Sequence, residues 1–186
     1  MVRHTDVHGS DPDEVLKQVL AIVPEARCVR SHSMFMSGPI LAAIRRFPQL
    51  KLDCSLMLPG LQQATAVAYG EGETTLWLLP SYWCDDDEAS LSKPNWELDQ
   101  RFDAPGVKVL IFHPIHVAMN SARIEDYAAL KASRGHVTDW SRELLDSARH
   151  DGPGSRTLLE RAAGELARRD AGATLGSLIP EPARNG

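Results

Sequence analysis

Cysteine and aromatic residues are scarce in this sequence, and long apolar runs are missing altogether. The three cysteines, Cys28, Cys54 and Cys84, are widely spaced and form neither a zinc-binding pattern nor a disulfide framework. Free thiols in a reducing cytoplasm are the expected state. No apolar run has the length of a membrane helix, and the N-terminus, M-V-R-H-T-D-V-H, lacks the apolar core of a signal peptide. These absences predict a cytoplasmic protein with no membrane span.

An excess of positive charge is also missing. The net charge is −5, which gives no electrostatic reason to expect nucleic acid or an anionic membrane as partner. With 43% hydrophobic and 24% charged residues, the 186-residue chain has the composition of an ordinary globular protein. We expect a single domain over residues 1–178, followed by a flexible tail at 179–186 that contains proline and glycine.

Short strands alternate with helices over the first two-thirds of the chain. This rhythm is typical of βαβ units and predicts an α/β fold with a parallel sheet. The region Pro59–Glu73 reads as a loop with irregular strand, and Glu88–Pro105 as a surface excursion. Three helical patterns follow residue 120. The predicted strands are Ala26–Val29, Leu50–Cys54, Thr75–Leu79 and Val107–Phe112, and the first helix is capped by Ser10 or Asp11, with Val15, Leu16, Val19, Leu20 and Val23 on its buried face.

Polar and aromatic side chains follow several of these strands where each one ends. The carboxyl ends of parallel strands meet at one edge of a sheet, so these side chains predict a single site there. The clearest case is the strand before His113, where Pro114 cannot donate to the sheet and pairing should stop. The residues of this predicted site are Arg30, His32, Asp53, Trp83, Asp86, His113 and His116.

Carboxylates and histidines elsewhere offer further candidates. Asp53 lies on an apolar strand and needs a partner if buried, and Arg30 on a neighbouring strand is the obvious one. A purely structural ion pair explains Asp53 equally well. His4 and His8 have a spacing that lets two imidazoles reach one divalent metal. The acidic triplet at residues 85–87 could add a metal ligand, although such triplets are more often solvated turns or helix starts.

Four segments together resemble the polysaccharide deacetylase family, in particular its bacterial subgroup associated with surface-polysaccharide biosynthesis. The resemblance covers residues 4–135 and is most specific in F-H-P-I-H and the preceding Y-W-x-D-D segment. It implies a deformed (β/α) barrel that removes acetyl groups from N-acetylated sugars with a divalent metal. The four segments are R-S-H-S-M at Arg30–Met34, D-C-S at Asp53–Ser55, P-S-Y-W-C-D-D-D at Pro80–Asp87 and F-H-P-I-H-V-A-M-N at Phe112–Asn120.

The resemblance also implies roles for single residues. H-T-D-V-H is similar to the family's H-[ST]-x-x-H-P motif, with Gly9 in place of proline, and this makes His4 and His8 the implied metal ligands. I-F-H is similar to its L-x-H motif and makes His113 the implied general acid, with His116 as competitor. Arg30 stands where the family's arginine orients a catalytic carboxylate. The implied catalytic residues are His113, Arg30 and Asp53, and the implied substrate-binding residues are His32, Tyr82, Trp83, Asp86 and His116.

The sequence departs from the family at its start. The family's T-F-D-D motif, which carries the catalytic base and an Asp metal ligand, lies upstream of the histidine motif, but only three residues precede His4 here. We therefore expect an incomplete barrel that lacks its first strand and a helix or two, with an open edge that favours self-association. In a second alignment, His4 and His8 follow the true metal motif and bind nothing.

The function predicted on these grounds is a metal-dependent, carbohydrate N-deacetylase-like hydrolase acting on an N-acetylated sugar or polysaccharide precursor. Zinc is the expected metal, and activity would be impaired by loss of the upstream catalytic Asp. Two alternatives stay open. One is a non-catalytic carbohydrate-binding or assembly module. The other is a different metal hydrolase whose carboxylate ligand is Asp53 or Asp86.

Zinc binding by this chain should be weak, because His4 and His8 supply only two protein ligands and zinc sites use three or four. Calorimetric titration of the chain and of its His8→Ala variant measures this, with weaker binding expected in the variant. Equal affinities would remove His8 from the metal site and favour the second alignment.

Overall fold

A computed structural model describes residues 11–180 of the chain, apart from the side chain of Arg101. Two compact units divide this range. The first unit comprises residues 11–58, 64–81 and 173–180, and the second comprises residues 59–63 and 82–172. The predicted single domain over 1–178 stays a prediction, and residues 181–186 of the predicted tail lie outside the described range. No helix within residues 11–180 is both long and apolar enough to cross a membrane.

Local sequence signals start both helices of the first unit. Helix α1 spans Pro12–Ile22, and the Asp11 side chain caps it by accepting the Asp13 N–H at 2.8 Å. Proline occupies the first turn of α1, where a missing N–H costs nothing. Helix α2 spans Gly38–Arg45 and again has proline in its first turn. The start of α1 agrees with the cap predicted from the sequence.

The sheet of the first unit has four short strands. They are β1 (Cys28–Val29), β2 (Leu52–Asp53), β3 (Val67–Tyr69) and β4 (Leu76–Leu78), arranged in the order β1-β2-β4-β3. Strand β2 pairs in parallel with both β1 and β4, whereas β3 runs antiparallel to β4. Strand β3 falls in the region predicted as loop with irregular strand. The other three strands lie inside their predicted ranges but are shorter.

A small apolar core holds the first unit together. Five residues from α1, α2, β4 and the segment before β2 are buried in it: Leu20, Leu41, Ile44, Leu50 and Leu76. The predicted buried face of α1 is wrong in part, because Val19 and Val23 are exposed and, of its five residues, only Leu20 is fully buried. Helix α1 packs through a narrow stripe, which leaves Ile22 81% exposed.

The second unit combines a two-stranded parallel sheet with six helices. Strand β5 (Trp83–Cys84) pairs with β6 (Leu110–Ile111), and Cys84 lies opposite Ile111. The predicted strand Val107–Phe112 is reduced to those two residues of β6. The helices are α3 (Asp85–Ala89), α4 (Gln100–Asp103), α5 (Pro114–Met119), α6 (Ile124–Arg134), α7 (Arg142–Ser147) and α8 (Ser155–Arg169).

Aromatic residues form the core of the second unit. Tyr82, Trp83, Ala89, Trp96 and Leu158 are buried together. The expectation of a surface excursion over residues 88–105 is therefore wrong for Ala89 and Trp96. The indole N–H of Trp96 donates to the Ala122 carbonyl at 3.0 Å, so its polar atom is satisfied inside the protein.

The fold is thus mixed α/β, with a partial sheet and helices in each unit. Within residues 11–180, neither unit closes a barrel by itself. The alternation of strand and helix predicted from the sequence is present, and its parallel pairs place the ends of β5 and β6 side by side.

Two isoleucines of the first unit provide a matched test of its core. Ile44 is 2% exposed and Ile22 is 81% exposed. Ile44→Ala should lower the free energy of unfolding by about 2–5 kcal/mol, because the truncation leaves a cavity. Ile22→Ala should change it by less than about 0.5 kcal/mol. Urea unfolding followed by circular dichroism measures both, and equal losses would contradict this core assignment.

Candidate active site

Two neighbouring strand ends of the second unit place an aspartate beside a histidine. Strand β5 leads directly into Asp85, the first residue of α3, and β6 leads into His113, which precedes Pro114 at the start of α5. Because β5 and β6 are parallel, their carboxyl ends meet. The proline sets the backbone for helix α5, so the chain turns at His113 instead of extending the strand.

Asp85 and His113 form a tightly hydrogen-bonded pair, called here the Asp85–His113 pair. Asp85 Oδ1 lies 2.7 Å from His113 Nδ1, and Asp85 Oδ2 accepts the His113 backbone N–H at 2.9 Å. Asp85 Oδ2 also accepts the hydroxyl proton of Ser155 at 2.8 Å. The Asp85 side chain is 0% exposed, so these donors replace the water that an ionised carboxylate would otherwise bind.

The surroundings of His113 favour its protonated form. The hydrogen bond that His113 donates to Asp85 raises the pKa of His113 to about 10, assisted by a hydrogen bond with Cys84 and by the nearby charge of Asp86 and opposed by partial burial. With Nδ1–H directed at Asp85, the second ring nitrogen, Nε2, carries the other proton. The His113 side chain is 28% exposed. His113 is therefore a protonated, partly accessible imidazolium at neutral pH, the state that a general acid requires.

A second carboxylate–imidazole pair, called here the Asp86–His116 pair, lies next to the first. Asp86 Oδ1 is 2.6 Å from His116 Nε2, and Asp86 Oδ2 is 3.6 Å from His113 Nε2. His116 is buried, its Nδ1 lies 3.0 Å from Ser121 Oγ, and the Tyr127 ring meets it edge-on. The Asp86 side chain is 43% exposed. Asp86 Oδ1 thus lies against His116, while the Asp86 side chain as a whole stays partly exposed.

The acidic triplet at residues 85–87 forms the start of helix α3. A helix start was one of the two structures expected for it, the other being a solvated turn. Its first member, however, is fully buried and belongs to the site, which the sequence analysis missed. A signal was available, because an acidic residue directly after a buried strand points to the same sheet edge as His113. Ser155 was also missed, and no sequence pattern marks it.

Cys84, Asp85 and His113 are also the one group of possible metal donors found among residues 11–180. A thiolate, a carboxylate and an imidazole suit zinc in type. In the observed arrangement, however, these three side chains do not fit a zinc ion. Zinc bonds of about 2.0–2.3 Å hold neighbouring ligands roughly 3 Å or more apart, whereas the 2.7 Å between Asp85 Oδ1 and His113 Nδ1 is a hydrogen bond. A ligating Nδ1 must also be deprotonated, and its neighbours favour the proton.

Tyr82 and Trp83 do not offer the exposed face for a sugar ring that the sequence predicted. Both are buried in the aromatic core of the second unit. The indole N–H of Trp83 donates to Glu88 Oε2 at 2.9 Å, and the Tyr82 ring packs edge-on against Phe102. The physical reason is packing, because both rings belong to the apolar core that Trp96 and Leu158 complete.

Three predicted site residues lie in the first unit. Asp53 ends β2, is buried and accepts the Ser55 N–H at 2.6 Å, and burial raises its pKa. The expected ion pair between Asp53 and Arg30 is absent, because the Arg30 side chain is exposed and contacts Met34 Sδ at 3.7 Å. His32 is exposed in a short 3₁₀ helix that spans His32–Met34.

The structure therefore brings together three of the predicted site residues, His113, His116 and Asp86, within the second unit. It adds Asp85, which was not predicted. The predicted metal ligands His4 and His8 lie outside the described residues, so their role stays a prediction.

Comparison with known proteins identifies the family of the chain. The family model described as "WbmS-like: Polysaccharide deacetylase" matches residues 2–131, which is more than half of the chain. The chain belongs to this polysaccharide deacetylase family. No curated protein sequence matches it significantly.

One solved structure adds detail to the family assignment. It is a Bordetella bronchiseptica protein to which polysaccharide deacetylase activity in O-antigen biosynthesis is ascribed. The two chains share 26% sequence identity and superpose with a TM-score of 0.68. The match covers 87% of the present chain but 64% of the Bordetella chain. The present chain thus corresponds to less than two-thirds of that protein.

The raised pKa of His113 predicts a pH-dependent stability. Because the folded-state pKa, about 10, exceeds the ordinary 6.5, the stabilisation by Asp85 is fully present below pH 6.5 and is lost as pH rises through 10. His113→Gln should therefore destabilise the protein at pH 6.5 and progressively less towards pH 10. Urea unfolding across this range measures the difference. The control is His150→Gln at an exposed histidine of the same unit, and a constant difference for His113→Gln would contradict the pairing.

Proposed function

We propose that this protein is a metal-dependent hydrolase that removes N-acetyl groups from a sugar of a surface-polysaccharide precursor. Family membership supports the reaction class. The name of the Bordetella relative supports a surface polysaccharide as the setting. The observation that carries the proposal is the Asp85–His113 pair, because it supplies a protonated imidazolium on a partly exposed side chain.

His113 acts as the general acid. Amide hydrolysis adds water to the acetyl carbonyl, breaks the C–N bond and releases acetate and a sugar amine. The departing nitrogen needs a proton at the moment of cleavage, and His113 Nε2 donates it. Asp85 keeps Nδ1 protonated and fixes the ring, so that Nε2 is the atom that faces the substrate.

Asp86 acts beside this proton donor. Its side chain is partly exposed, its Oδ1 lies 2.6 Å from Nε2 of the buried His116, and its Oδ2 lies 3.6 Å from His113 Nε2. That position suits hydrogen bonding to sugar hydroxyls, so we assign Asp86 and His116 to substrate binding. Arg30, His32 and Asp53 lie in the first unit, and the roles that the family resemblance implies for them stay predictions.

Zinc is the proposed cofactor, with His4 and His8 as its ligands. Two imidazoles suit zinc, and the family resemblance that implies them covers this segment. When bound, zinc supplies a Lewis acid for the acetyl carbonyl. The cytoplasmic location and the self-association expected from the sequence are likewise carried forward as predictions.

Release of acetate from N-acetylated sugars, with and without added Zn²⁺, tests the function. His113→Ala should lower kcat by roughly 10²–10⁴-fold, the usual contribution of a positioned proton donor. His116→Ala should act mainly on KM, because His116 reaches the substrate only through Asp86. Reversed effects would make His116 the acid. Sugar binding without acetate release would instead favour the non-catalytic carbohydrate-binding module.

A further inference from the structure

Ser155 is a buried polar residue that the family resemblance does not reach. It is the first residue of α8, it is 0% exposed, and it lies 24 residues beyond the end of the matched segment 2–131. Its hydroxyl donates to Asp85 Oδ2 at 2.8 Å. This is the bond that joins the C-terminal helix α8 to the Asp85–His113 pair.

A nucleophilic role for Ser155 is excluded by its surroundings. A serine nucleophile is activated by a base on its hydroxyl and must reach the substrate. The Ser155 hydroxyl is directed at Asp85 rather than at an imidazole, and the residue has no exposed surface. Its one evident action is on the orientation of the Asp85 carboxylate.

The backbone around Ser155 is fixed by a dense set of hydrogen bonds. The Ser155 N–H donates to the Ser121 carbonyl at 3.0 Å. The Asn120 side chain donates to the carbonyls of His150 and Gly152, both at 2.8 Å, and accepts the Thr157 N–H at 3.1 Å. Hydrogen bonds therefore connect the loop before α8 to the end of α5, the helix that follows His113.

Two residues at this junction have conformations that few alternatives allow. Asn120 adopts a left-handed backbone with φ +48°, which asparagine tolerates better than most residues. A side chain on Gly154 would collide with the Asn120 carbonyl. The close approach of the loop to Asn120 thus depends on both residues, and it places Ser155 where its hydroxyl meets Asp85.

We infer that Ser155 is a positioning residue of the proposed deacetylase: it orients Asp85, and through Asp85 it holds His113 in the proton-donating arrangement. With Oδ2 held by Ser155 and by the His113 N–H, Oδ1 has one orientation left, and that orientation meets Nδ1. Helix α8 therefore belongs to the functional site. The inference rests on the proposed function for its catalytic consequence, but not for its structural one.

The His113 Nδ1 proton gives a direct readout. In protein labelled with ¹⁵N-histidine, this proton should give a downfield NMR signal that is assigned by its loss in His113→Gln. Ser155→Ala should broaden the signal through faster exchange with water, because Asp85 is no longer fixed. Ser155→Cys, which keeps the size but is a weak donor, should have the same effect if Ser155→Ala fails to fold.

Ser81→Ala is the matched control. Ser81 is also 0% exposed, and its hydroxyl donates to the Cys54 carbonyl at 2.8 Å, so the control loses a buried serine hydrogen bond in the first unit. It should lower stability to a similar extent and leave the His113 signal sharp. A signal that stays sharp in both Ser155 variants, or that broadens equally in Ser81→Ala, would overturn the inference.

Measurements of acetate release distinguish a failure of this inference from a failure of the proposed function. If the chain deacetylates N-acetylated sugars, Ser155→Ala should lower kcat by roughly 10- to 100-fold at unchanged KM, the scale of a small misplacement of a catalytic group. Acetate release that is undetectable in the unmodified chain would overturn the proposed function, while the NMR result would still decide the role of Ser155. A changed KM at unchanged kcat would overturn the positioning role.

Discussion

The candidate site depends on the burial of one charge, the Asp85 carboxylate. Removing an ionised group from water costs several kcal/mol, and the cost is offset only when close hydrogen-bond donors replace the water. Three donors at 2.7–2.9 Å do so here, and they come from the start of α5 and the start of α8. The Cys84 thiol is a more distant fourth donor at 4.0 Å. The site is therefore assembled only when residues 85, 113 and 155 meet. Any loss of one donor acts on the same carboxylate.

Asp85 and Asp86 are consecutive in the chain, but their surroundings differ and so do their contacts. Asp85 has no exposed surface and three donors at 2.7–2.9 Å, so it is a fixed partner for His113. Asp86 is held at one oxygen by the buried His116 and reaches solvent with a side chain that is 43% exposed. The first turn of a short helix produces this split, since successive side chains there point in different directions. Asp85 is thereby a buried partner of His113, whereas Asp86 is partly exposed.

Much of this arrangement could be predicted from the sequence, because it follows from local signals. The apolar strand before His113, the proline after it and the cap at Asp11 each correspond to an observed element. The remainder depends on tertiary packing. The sequence could not show that Trp83 is buried against Trp96, since an aromatic residue beside an acidic turn suits a sugar platform equally well. Nor could it show that Arg30 lies away from Asp53.

Ser155 illustrates the limit of pattern reading most clearly. Serine at a helix start ordinarily indicates a cap, and nothing in S-R-T-L-L distinguishes a hydroxyl that reaches a residue 70 positions away. The signal becomes visible only once α8 is placed, because the buried Asp85 then requires a donor from that side. The arrangement of the candidate site follows from hydrogen-bonding a buried carboxylate. The donor that Asp85 needs comes from whichever segment packs against it, and in this protein that segment is helix α8.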